Sequence, residues 1–164
     1  MKKLIVAMIL VFSMALGASA QTINFDFVAG GGSIEGSAQG GFVFGGPWYS
    51  SSIGGDPYME TYNQAHSLTF STGAFVFNSM RLNGLPWDDY DMGSQTYNTL
   101  VFDFIDSSNN TIATRSINLP FDNSYVSFVE NISNVHSINF HATGGYDLAG
   151  SWINGFWPRL DTVT

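Results

Sequence analysis

A chain of 164 residues with 13 acidic and five basic side chains carries a formal charge of −8 at neutral pH, and it contains no cysteine. That balance repels nucleic acid and anionic lipid headgroups, and the missing thiols exclude disulfides, cysteine catalysis and cysteine-ligated zinc. With 14 Phe, seven Tyr and four Trp, the expectation is an aromatic core held by packing alone.

Residues 1–20, MKKLIVAMILVFSMALGASA, have the form of a cleavable secretory signal peptide. Lys2 and Lys3 open it, an apolar run follows over residues 4–16, and Ala18-Ser19-Ala20 supplies the small-x-small cleavage pattern. The run is shorter than a membrane span, and no second one follows it. The expectation is a secreted or periplasmic protein, bacterial by its leader, with one domain over residues 21–164 and no integral membrane segment. Beyond the leader, Arg81, Arg115 and Arg159 stand alone against the 13 acids, a formal −10.

Period-2 alternation then marks short strands in chain order. Ile23, Phe25 and Phe27 alternate with Asn24 and Asp26; further runs cover residues 68–70, 75–82 and 100–105. Asp and Asn residues at 106–110 mark a turn, since both tolerate left-handed backbone, and a returning strand at 111–119 closes a hairpin. Residues 125–129, 135–141 and 159–164 complete the set. No helical periodicity persists beyond about two turns. Eight or nine strands at roughly ten-residue spacing predict an all-β fold, an antiparallel β-sandwich of jelly-roll form. Residues 45–63, 84–97 and 143–158, rich in Gly, Asp, Trp and Tyr, read as long loops, where ligands are commonly held.

Four segments carry a family likeness: Phe77-Asn78-Ser79-Met80-Arg81-Leu82, the hairpin from Val101 to Thr114, Asn134-Val135-His136-Ser137-Ile138-Asn139-Phe140, and the closing Pro158-Arg159-Leu160-Asp161-Thr162-Val163-Thr164. In these, residues 75–164 resemble the extracellular jelly-roll domains of bacterial exported proteins that carry a PEP-CTERM sorting tail. The motifs are short and bear on fold more than on function. The sequence departs from that pattern in ending at Thr164 without a Pro-Glu-Pro motif, apolar helix or basic end, so the expectation is a protein released or held non-covalently.

Asp88, Asp89 and Asp91 fall within four residues, flanked by Trp87 and Tyr90. Mutual repulsion of such carboxylates is relieved by a hard cation with oxygen ligands, which makes them, with Asp161, candidate calcium ligands; a solvated acidic turn is the alternative. Tyr58 and Trp157 join Trp48, Tyr49, Trp87, Tyr90 and Trp152 in the predicted loops. An aromatic face stacks on the C–H face of a sugar while nearby Asp, Asn and Arg take its hydroxyls, and Trp48, Tyr49, Trp87, Tyr90 and Trp152 are the candidate binding face. The competing reading is that these rings plug the ends of the core.

Catalysis finds little support. His66, His136 and His141 lack the helical i, i+4 spacing of a zinc hydrolase, and Glu35, Glu60 and Glu130 are too dispersed for a glycosidase carboxylate pair. The expectation is a non-catalytic module for a glycan or other extracellular polymer, with calcium as its one candidate cofactor. The alternative is a structural or adhesive envelope or matrix protein that self-associates through strand edges; a glycan-active enzyme is the weaker third reading.

Overall fold

The computed structural model describes residues 22–24, 32–50, 57–59, 65–85, 97–120, 124–143 and 157–164. Six short strands come first: β1 (Ile23–Asn24), β2 (Gly32–Ser33), β3 (Ala38–Gln39), β4 (Phe42–Gly45), β5 (Trp48–Ser50) and β6 (Pro57–Met59). Longer ones follow: β7 (His66–Phe70), β8 (Phe75–Leu85), β9 (Tyr97–Ile105), β10 (Thr111–Pro120), β11 (Tyr125–Val135), β12 (Ser137–Thr143) and β13 (Trp157–Val163). The fold is the expected all-β antiparallel sandwich. A seven-stranded sheet runs β11-β8-β13-β6-β5-β2, with β1 also paired to β13, and a six-stranded sheet runs β10-β9-β12-β7-β4-β3. From β7 to β13 the chain changes sheet at every connection except the β9–β10 hairpin, a winding of jelly-roll type. No helix among the described residues is long and apolar enough to cross a membrane.

The predicted strand set corresponds to β1 and β7–β13. Strands β2 to β6 were not expected, and the stretch read as a loop over residues 45–63 contains β5 and β6. Each of these five is two to four residues long, too short to show a period against its glycine-rich surroundings. One of those glycines has a defined task. Gly46 has φ 91 and passes close to the Ala65 carbonyl oxygen where a β-carbon would sit, so glycine carries the chain from β4 in one sheet to β5 in the other.

Alternation drives the core. Leu100, Phe102 and Phe104 of β9 and Ile138 and Phe140 of β12 face Phe77, Met80 and Leu82 of β8 and Leu160 of β13, all buried. Rings join the layers: the Phe77 and Phe104 centroids are 4.9 Å apart, those of Phe102 and Phe128 5.1 Å. Trp48 is 0 % exposed, edge-on to Phe44 at 5.4 Å and Phe140 at 5.7 Å, and its Nε1 donates to the Gly45 carbonyl at 3.1 Å. Such ring pairs add about 0.5–1.5 kcal/mol each beyond their buried area.

Candidate functional site

Across the seven-stranded sheet, the register brings five residues into one cross-strand row. Tyr125 on β11 pairs with Asn83 on β8, Asn83 with Arg159 on β13, Arg159 with Tyr58 on β6, and Tyr58 with Tyr49 on β5. Strand alternation sets the face. Leu160 and Trp48, next in chain to Arg159 and Tyr49, are buried in the core, and Val126, next to Tyr125, packs against it, which puts Arg159, Tyr49 and Tyr125 on the outer face; Asn83 shares the row but is itself buried. With strands about 4.8 Å apart, the row extends ~19 Å, room for several sugar units in line.

Arg81 stands beside the row. The β8–β13 register shifts between Leu160 and Thr162, and the extra residue, Asp161, brings its carboxylate to Arg81. Arg81 Nη1 donates to Asp161 Oδ2 at 2.8 Å, and the guanidinium carbon lies 4.5 Å from the centroid of the Tyr125 ring. A carboxylate on one side and the negative face of a ring on the other hold this cation in place. Arg159 is treated differently. It is half-buried, its Nε is enclosed without a hydrogen-bond partner, and the ion pairs among the described residues do not include it.

The outer face of the opposite sheet is made of small polar side chains. Thr114 Oγ1 donates to Asp103 Oδ1 at 2.6 Å, Thr99 Oγ1 to Asn118 Oδ1 at 2.8 Å, and His141 Nδ1 lies 3.9 Å from Asp103 Oδ2. Among the described residues, no group of three His, Asp or Glu could hold a metal ion.

The expected site residues separate into three groups. Trp48 is corrected: it belongs to the inter-sheet core and cannot present a ring to a ligand, because β5 turns it inward where a loop would have left it outside. Tyr49 is half-buried on the outer face, and Asp161 is ion-paired with Arg81. Trp87, Tyr90, Trp152, Asp88, Asp89 and Asp91 lie outside the described residues. The remaining members of the row, Asn83, Arg159, Tyr58 and Tyr125, were not chosen from sequence. Their common signal is a polar or tyrosyl position alternating with a core residue; the register that aligns them is not written in any one strand.

No family model and no curated protein matches this chain. Among solved structures, a variant of a family 29 carbohydrate-binding module complexed with mannohexaose aligns over 80% of this chain and 86% of that one, at 15% identity and a TM-score of 0.44. Another variant of that module, complexed with cellulohexaose, covers 88% and 91% at 14% identity and a TM-score of 0.44. The enzymatically active domain of bacteriophage CBA120 tailspike protein 4 aligns over 74% of this chain and 17% of that chain, at 14% identity and a TM-score of 0.36.

Proposed function

We propose that this protein is an exported, non-catalytic module that binds a polysaccharide along the outer face of its seven-stranded sheet. One observation carries the reading: a cross-strand row over five adjacent strands that sets the half-buried Tyr125, Arg159 and Tyr49 in line on one face. Tyrosines supply flat apolar surface for the C–H faces of sugar rings. Arg159, with Arg81 beside it, supplies the polar groups that fix their orientation. A straight row on paired strands is preorganised, so an extended chain loses affinity only through its own ordering.

Affinity electrophoresis and calorimetry against a glycan panel that includes mannohexaose and cellulohexaose test this. Binding to at least one glycan is expected, with Tyr49→Ala and Tyr125→Ala each weakening it about tenfold or more. Ser116→Ala, on the outer face of the other sheet, leaves it unchanged. Equal affinity in all three variants, or no binding across the panel, overturns the proposal.

A further inference from the structure

We infer that the polysaccharide held by this face is acidic, bearing carboxylate or sulfate groups that meet Arg159; the inference rests on the glycan reading above. Three arginines are present among the described residues, and two have protein counter-charges: Arg81 has Asp161 at 2.8 Å and Arg115 has Glu130 at 2.8 Å. Arg159 has none, and its Nε is sealed from water without an acceptor. A guanidinium that the protein leaves without a counter-charge can take one from a ligand. The planar guanidinium of Arg159, half-buried on this face, offers the paired donors that an oxyanion accepts side by side.

The charge distribution points the same way. The whole chain is strongly acidic at −8, yet this face gathers two of its arginines. Of the acidic residues described, Asp161 alone shares the face: Asp103 belongs to the opposite sheet, Asp106 to a hairpin turn, Glu35 to the turn between β2 and β3, and Glu130 to the sandwich edge with Arg115. Arg159 and Arg81 are diagonal neighbours across β13 and β8, roughly 7–8 Å apart. A neutral glycan needs hydroxyl partners, which amides and carboxylates provide without an uncompensated cation. Among the described residues this face sets two guanidiniums against one carboxylate beside Tyr125 and Tyr49, a surplus of positive charge that suits an acidic sugar.

The test uses the full chain with alginate, polygalacturonate and hyaluronan as carboxylated probes, dextran sulfate as the sulfated one, and mannan and dextran as neutral ones. At least one acidic polymer is expected to bind tenfold or more tighter than any neutral one, and to weaken as ionic strength rises from ~0.01 to ~1 M. Arg159→Gln abolishes that preference, Arg159→Lys restores part of it, and thermal melts of both variants confirm folding. A preference for dextran sulfate with the same Arg159 dependence upholds the inference and assigns the anion as sulfate. Tight, salt-insensitive binding of a neutral glycan, or a preference that survives Arg159→Gln, overturns the inference and leaves the glycan reading standing. No binding to any probe, acidic or neutral, overturns both.

Discussion

The Asp106 carboxylate organises the tip of the β9–β10 hairpin. Its Oδ1 accepts from the backbone amides of Asn110 at 2.8 Å and Ser108 at 2.9 Å, and Asn110 Nδ2 donates to Oδ2 at 3.2 Å. Asn109 completes the turn at φ 64, a left-handed conformation that Asn accepts at little cost. The Asn110 amide, then its side chain, holds the Asp106 carboxyl below the ordinary value of 3.8. Because the folded value is depressed, the stability it contributes is present above 3.8 and is lost as the pH falls through the folded value. Asp106→Ala should therefore lower the melting temperature at neutral pH, and the gap to the parent should narrow in strong acid. Melts of both proteins across the acid range check this. The turn itself was legible in the sequence, since Asp106-Ser107-Ser108-Asn109-Asn110 between two apolar runs has few other uses.

Strands β10 and β11 form the open side of the sandwich, each lying at the end of its sheet. Here the chain protects itself. The β11–β8 register shifts between Val129 and Ile132 and again between Ile132 and Val135, and Arg115 of β10 donates its Nε to Glu130 of β11 at 2.8 Å, joining the two sheets. Bulges and inward-set charges are devices that keep an edge from recruiting further strands, although Val129 is left 73 % exposed. Both partners of the ion pair are partly in solvent, so a double-mutant cycle with Arg115→Ala and Glu130→Ala should give a coupling below about 1 kcal/mol. The larger expected effect is on association: Glu130→Ala should raise the aggregated fraction measured by light scattering. At this scale the sequence was legible wherever a strand was long. Residues 100–105 and 111–119 alternate cleanly, and they pair as expected. Trp48 and Tyr49 were placed in a loop because a three-residue strand offers a single alternation, and glycines on either side look like loop. The cross-strand row was illegible for a different reason: its members come from five strands, and register belongs to pairs of strands.

The two sheets close over one aromatic core without a covalent staple, and β13 is the piece that completes it. It lies between β8 on one side and β6 and β1 on the other, with Leu160 and Val163 buried and Arg159 and Asp161 on the outer face. Removing residues 157–164 should abolish cooperative thermal unfolding, as followed by near-ultraviolet circular dichroism, because the sheet is then split through its middle. Truncating an edge strand would leave a smaller but continuous sheet.

The pairing of Ile23 with Val163, and of Asn24 with Thr162, also fixes the order of events in the life of the molecule. A ribosome adds residues at about 5–20 per second, and until the last few have been added the first strand has nothing to pair with. Closure of this pair must wait until residues 162 and 163 have been made. Such distant contacts place the chain among high-contact-order proteins, which fold in roughly milliseconds to seconds. Local pieces such as the β9–β10 hairpin have time to form first, and the pairing of β1 with β13 is a late step that joins the two ends of the described chain.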